Sequence, residues 1–298
     1  MKSLKFTKMQ GLGNDFIVID DLGTQPTTSG DLTPEVAKKI CDRRFGVGAD
    51  QILWLRKVES SRARSDLRME ILNADGSVAE MCGNGIRAVA LYLNRHLFKD
   101  KTEFNIETLA GIKTVQVKGN SVLVDMGIPT LGSKILMGGE LLLTDELLST
   151  GELLLTSQLN SKGKLLPTTD FEFFEVNVGN PHAVIFVDEV KAFLVKKWGP
   201  LIEKHPRFPN RTNVEFVEVK SPHAIQVRVW ERGAGITLAC GTGACAAAVA
   251  SLTTGKVQNP VEVQLPGGNL KITWAGAGSS VMMEGPAEEV FTGKIKIE

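Results

Sequence analysis

The sequence predicts an α/β chain built from two homologous halves. Three observations lead there: matched blocks recur in the same order, each half carries strand-patterned runs, and each half places Cys-Gly-x-Gly at the start of an apolar helix. The block MEILNADGSVAEMCGNGIRAVALY (69–92) is echoed by VRVWERGAGITLACGTGACAAAVA (227–250). The same spacing separates Asn73 from Cys82 and Glu231 from Cys240.

Taken in order, GLGNDFIVID (11–20) is a Gly-Asn turn followed by a buried-strand pattern, matched later by NVGNPHAVIFVD (177–188). PEVAKKICDRR has helical composition and ends near Cys41. RRFGVGADQILWL (43–55) pairs more loosely with PRFPNRTNVEFVEV (206–219), setting Gln51 opposite Asn213. After the strand pattern of 69–73, Gly83 and Gly85 open a helix over 86–93 whose one charge is Arg87. The strand VLVDM leads to a boundary near 127–129, so the first half is expected at 1–127 and the second at 128–285. Residues 131–169 match no motif and are expected as an insertion of short strands or a surface excursion whose leucines could serve a dimer contact. The uncharged run 233–254 approaches membrane-span length but is mostly Gly, Ala, Ser and Thr, which suits a helix inside a soluble domain. Trp54, Trp198, Trp230 and Trp274 lie in or beside strand patterns, and with Cys41 and Cys245 they are assigned to packing.

Composition narrows the partner. Lys plus Arg equals Asp plus Glu at 34 each, with no block of either sign, so no footprint for nucleic acid or an anionic membrane is expected and a small molecule is. The four cysteines lack paired CxxC spacing, which argues against a zinc site and a disulfide scaffold and for reduced, cytoplasmic thiols. The opening residues MKSLKFTKMQ contain no apolar signal core.

Cys82 and Cys240 precede helix N-termini, where unpaired N–H groups and the helix dipole lower a thiol pKa and can hold a carboxylate. If the halves pack about a pseudo-twofold axis, the two thiols face each other across a cleft. Such a pair suits inversion of a stereocentre: one sulfur removes a proton from one face of an α-carbon and the other supplies a proton to the opposite face. N–H groups of Gly83, Asn84, Gly241 and Thr242 would stabilise the developing carboxylate charge. There is no P-loop, no HExxH and no dinucleotide fingerprint, so neither a cofactor nor a metal is expected.

The blocks KMQGLGNDF, DRRFGVGADQ, NADGSVAEMCGNG, NVGNPHAV, NRTNVEF and WERGAGITLACGTG together resemble those of the diaminopimelate epimerase family. The resemblance spans most of the chain. It implies a pyridoxal-phosphate-independent isomerase that interconverts LL- and meso-2,6-diaminopimelate on the route to lysine and peptidoglycan. It also implies a fold of two pseudo-symmetric domains, each a curled mixed sheet around a central helix, and a homodimer. The tail VFTGKIKIE is then expected to return to the first domain, so that 286–298 completes it. Phe291 stands where the family often has a tyrosine at the dimer interface. By the same resemblance Cys82 and Cys240 are the acid/base pair. Asn14, Gln51, Asn73, Asn180, Asn213, Glu231 and Arg232 are substrate ligands alongside Gly83, Asn84, Gly241 and Thr242, and His182 and Glu231 tune the thiols. Arg232 suits the distal carboxylate of the substrate and Glu231 its ammonium. Competing readings are a proline racemase or hydroxyproline epimerase of the same fold, which would leave Glu231 and Arg232 without distal partners, and a thiol sensor in which the two cysteines oxidise.

Overall fold

Strand pairing follows the sequence repeat. The computed structural model describes residues 2–23, 32–58, 64–137, 157–159, 165–167 and 171–297. In the first half Lys2–Gly11 and Asn14–Asp21 form a hairpin, and the second of these runs parallel to Gln51–Arg56. Gln51–Arg56 pairs antiparallel with Leu67–Asn73, which lies parallel to Glu103–Thr108; Gly111–Lys118 and Ser121–Asp125 follow as a meander. The second half repeats this order: Phe171–Asn177 and Pro181–Phe186, then parallel Asn213–Ser221, antiparallel Ala224–Glu231 and parallel Val261–Leu265. Gly268–Trp274 and Val281–Pro286 close it.

The halves join where Ser121–Asp125 pairs antiparallel with Val281–Pro286, which is the seam of the pseudo-twofold. They also exchange strands. Thr130–Met137 leaves the first half to pair with Phe171–Asn177, and Glu288–Ile297 leaves the second to pair with Lys2–Gln10.

Four helices lie among the described residues: α1 (Pro34–Cys41), α2 (Gly83–Tyr92), α3 (Val195–Glu203) and α4 (Gly241–Thr253). Helix α2 is buried on every side, Arg87 included, and is continued by one wider π turn, Leu93–Leu97. The alanines and glycines of α4 let the second sheet curl closely around it. Ile86, Val89, Val124 and Met126 share one core with Ala246, Val249, Val281 and Met283, so the halves are fused by apolar contact as well as by strand pairing. Each of the valine, isoleucine and methionine side chains contributes roughly 1.5–3 kcal/mol by leaving water. On the outer faces α1 covers Ile17, Ile52 and Trp54, and α3 covers Ile185, Val214 and Phe216.

Cys41 and Cys245 are buried, and Trp54, Trp230 and Trp274 lie in strands as expected. Trp198 differs: it lies within α3, because VKKWGPLIE repeats its apolar residues at helical spacing. Within the expected insertion, Thr130–Met137 and the short pair Ser157–Leu159 and Leu165–Pro167 are strands; its other residues, 138–156, 160–164 and 168–169, lie outside the described residues.

Candidate active site

Each cysteine is the N-cap of its helix. Cys82 and Cys240 adopt extended backbone, and each sulfur accepts from the amide three residues on: Gly85 N–H at 3.3 Å and Gly243 N–H at 3.4 Å. The two helix starts abut. A Cβ added at Gly83 would lie 3.5 Å from the Cα of Gly241, and one added at Gly241 would lie 3.4 Å from the Cα of Gly83, with Met283 against both. Glycine at both positions lets two positive helix ends share one small space. The Asn84 amide donates to Ala239 O at 3.1 Å and ties the helices across the seam.

Around this meeting point the predicted residues converge from both halves. Cys82 Sγ lies 3.7 Å from Asn14 Oδ1, and Asn14 Nδ2 donates to Asp50 at 3.0 Å. Gln51 Nε2 donates to Asn73 Oδ1 at 2.8 Å, while Gln51 Oε1 is buried with no partner. On the other side Cys240 Sγ is 3.5 Å from Thr242 Oγ1, which accepts from Asn180 Nδ2 at 3.3 Å. Asn213 Oδ1 accepts from the Arg232 backbone N–H at 2.9 Å, and Thr237 Oγ1 donates to Glu231 Oε1 at 2.5 Å. A cleft of about 510 Å³ has Asn73, Asn180, Arg232 and Thr242 in its lining. The exposed Arg232 guanidinium donates to Asn210 O and pairs with no carboxylate among the described residues, which leaves it open to an anion.

The matched blocks also align beyond the chain's own repeat. The family model described as Diaminopimelate epimerase matches residues 6–132 and 174–290. The diaminopimelate epimerase of Carboxydothermus hydrogenoformans is 49% identical over 292 residues, covering 98% of this chain and 99% of that protein. Diaminopimelate epimerase 1 of a Nostoc species is 43% identical over 296 residues, covering 98% and 100%.

The chain belongs to the diaminopimelate epimerase family.

It is therefore an isomerase. The fold extends to more distant proteins: a phenazine biosynthesis protein of the PhzF family from Bacillus anthracis superposes at TM-score 0.69 with 15% identity, covering 100% of both chains. A hydroxyproline epimerase from Agrobacterium vitis superposes at 0.65 with 16% identity, covering 99% of this chain and 92% of that one.

For this member of the diaminopimelate epimerase family, one electrostatic expectation is overturned. Helix N-termini favour thiolates, yet burial outweighs them here. It pushes Cys82 up to about 11 against the help of the Gly85 and Asn84 amides, and it pushes Cys240 well above the ordinary thiol value with Glu231 and Glu215 adding to it. Burial likewise raises the Glu231 carboxyl, with Thr237 and Cys240 opposing.

Two groups escaped the sequence reading. Glu215 is wholly buried, with Oε1 2.7 Å from His182 Nδ1 and Oε2 without a partner; His182 Nε2 lies 2.8 Å from Asn180 Oδ1. In NVEFVEV its alternation with valine and phenylalanine reads as a solvent-facing strand position, and only the pairing of Asn213–Ser221 with Pro181–Phe186 reveals its partner. The second group braces Asn14: Asp50 receives Asn14 and Arg43, and Arg43 and Lys8 both pair with Asp15. Burial alone would raise Asp15, but Arg43 and Lys8 hold its carboxyl well below the usual range.

Proposed function

We propose that the protein interconverts LL- and meso-2,6-diaminopimelate through a two-base mechanism with Cys82 and Cys240 as its catalytic pair. The observation that carries this reading is the contact of two cysteine-capped helix starts at Gly83 and Gly241. A thiolate takes the α-proton, breaking the C–H bond and forming S–H. The opposite thiol gives its proton to the other face of the planar carbon and is left as thiolate, so the roles exchange with direction. The α-carboxylate takes on enediolate character in between. Amides of Gly83, Asn84, Gly241 and Thr242 hydrogen-bond it there, as an oxyanion hole does.

The substrate's far end carries a second carboxylate and ammonium, which fall to Arg232 and Glu231. Asn14, Gln51, Asn73, Asn180 and Asn213 add neutral donors and acceptors, and the free Oε1 of Gln51 suits an ammonium. His182 and Glu231 adjust the thiols. In this reading 1–127 with 286–298 forms one functional half and 128–285 the other, and the enzyme is a cytoplasmic homodimer. The exposed Val290 and Phe291 on Glu288–Ile297 support a dimer contact there, and a monomer in sedimentation would remove that part.

The test of the reaction is incubation of the reduced enzyme with LL-diaminopimelate in heavy water, with L-proline and hydroxyproline in parallel. Deuterium at the α-carbon together with the meso isomer is expected. Inversion of the cyclic amino acids alone would keep the two thiols and overturn the substrate.

A further inference from the structure

The two halves are not electrically equivalent behind their thiols. Matching strands by their pairing sets Phe16 against His182 and Leu53 against Glu215, since Phe16 pairs with Gln51 as His182 pairs with Asn213. A Cβ on Gly85 would lie 3.0 Å from Leu53 Cδ2, and one on Gly243 would lie 2.7 Å from Glu215 Oε1. Leu53 and Glu215 thus press on the same turn of α2 and α4 from below. One is apolar, the other a carboxylate with one oxygen unpartnered.

The opposite asymmetry lies five residues into each helix, where Arg87 in α2 corresponds to Cys245 in α4. Arg87 is fully buried and donates to Gly83 O at 3.1 Å, Asn84 Oδ1 at 3.0 Å, Pro286 O at 3.2 Å and Met283 Sδ at 3.8 Å. None of these carries a negative charge, and no carboxylate pairs with Arg87 among the described residues. The charged groups acting on Cys82 are Arg87 and Glu231; those around Cys240 are Glu231, Glu215 and, across Asn180, His182. Glu231 acts on both thiols, and it is hydrogen-bonded to Cys240 alone, so it adds to the difference. Arg87 and Glu215 each act on one side, and both in that same sense.

We propose that Arg87 and Glu215 are positioning residues for the shared proton: in the singly protonated, active form of the pair they hold it on Cys240 and leave Cys82 as the thiolate. A cation without a carboxylate partner lies on the Cys82 side, and a half-satisfied carboxylate lies under Cys240. The free enzyme is then poised for the isomer whose α-hydrogen faces Cys82. Turnover leaves the proton on Cys82 and the charge on Cys240, and exchange with solvent restores the resting arrangement. The inference rests on the two-thiol reading of the site but deepens it by fixing which sulfur starts as base.

The test is alkylation of the reduced full-length free enzyme with iodoacetamide at fixed mildly alkaline pH, with the rate at Cys82 and at Cys240 resolved by peptide mass spectrometry. Each cysteine is compared with itself between variants, so its exposure cancels. Glu215→Leu, which copies Leu53, is expected to speed Cys240 about tenfold, the equivalent of about one pKa unit, and to leave Cys82 within about twofold. Arg87→Met is expected to slow Cys82 by about the same factor and to leave Cys240 alone. The double variant His182→Phe/Glu215→Leu reproduces the apolar wall of the first half, so it keeps the experiment readable if the single change does not fold. An unchanged Cys240 in both Glu215 variants, or equal changes at the two sulfurs, would overturn the assignment. Alkylation needs no turnover, so a failure of the substrate reading would appear separately, in the heavy-water assay.

Discussion

Asn73-Ala74 in the first half stands where Glu231-Arg232 stands in the second, at the ends of strands that match in pairing order, and of these Asn73 and Arg232 line the cleft. Under the capped helix starts the first half presents apolar Leu53 where the second presents the Glu215 carboxylate. Backbone, helix caps and glycines have stayed alike while side chains around them have diverged. What the proposed reaction needs on both faces of a carbon is duplicated, and what would hold the end of the substrate that does not react is present once. The comparison separates residues that should matter equally in both halves from those that should matter in one.

The largest effect tests the equal part. Cys82→Ala and Cys240→Ala should each lower inversion in both directions by about 10³-fold or more, since each direction needs both an acid and a base. Circular dichroism should be unchanged. Retention of near-normal turnover by either variant would break the symmetry on which the mechanism stands. Next comes the unequal part. Arg232→Met should raise KM by roughly 10–100-fold with a smaller change in kcat, matching the loss of a charged hydrogen bond of roughly 1.5–3 kcal/mol. Ala74→Arg in the first half should not compensate. A fall in kcat with KM unchanged would move Arg232 from recognition to the chemical step.

Burial acts on both halves and gives opposite trends with pH. In the proposed two-thiol mechanism activity needs a thiolate that burial disfavours, with Cys82 pushed up to about 11, so kcat/KM should rise with pH across the neutral range, by about tenfold per unit where one deprotonation limits. Stability should move the other way. Cys41 and Cys82 are raised to about 11 and Cys245 to about 12 by burial, so above roughly pH 8.5 the unfolded chain loses thiol protons that the folded chain keeps. The folded state then binds more protons, and its stability declines as pH rises toward those folded values. Urea midpoints measured under reducing conditions at several alkaline pH values would check this; a midpoint that climbs with pH would contradict the burial argument.

Much of this arrangement is legible in the sequence because it is local. Cys-Gly-x-Gly before an apolar run specifies a capped helix start, and its recurrence at equal distance from Asn73 and Glu231 implies two matching sites. What is not legible depends on contacts between distant segments. The sign of the thiol shift follows from how far the surrounding segments withdraw Cys240, and in part Cys82, from water, which no helix-end rule contains. Glu215 gains its meaning from parallel pairing with the strand of His182, and Arg87 from being enclosed without a counter-ion. The helix around Trp198 has apolar residues at helical spacing, but it is short and contains Pro200, which hides it among the strand patterns of its neighbours.

The smallest expected effect compares the outer helices, far from the chemistry. Helix α1 begins with Thr33, whose hydroxyl accepts from Val36 N–H at 3.3 Å, and has Pro34 at its first position. Helix α3 begins with Leu194, 60% exposed and offering no side-chain acceptor to its first turn. Thr33→Ala should therefore cost about 1 kcal/mol, whereas Leu194→Asp should gain up to about 1 kcal/mol by accepting from the first-turn amides and facing the positive helix end. Neither change should alter kcat, because α1 and α3 pack on the outer faces of their sheets while the cysteines cap α2 and α4 inside. Thermal melts of the two variants decide it. If Leu194→Asp lowered stability instead, the exposed leucine would be covering apolar surface on α3, and the two outer helices would differ in packing rather than in capping.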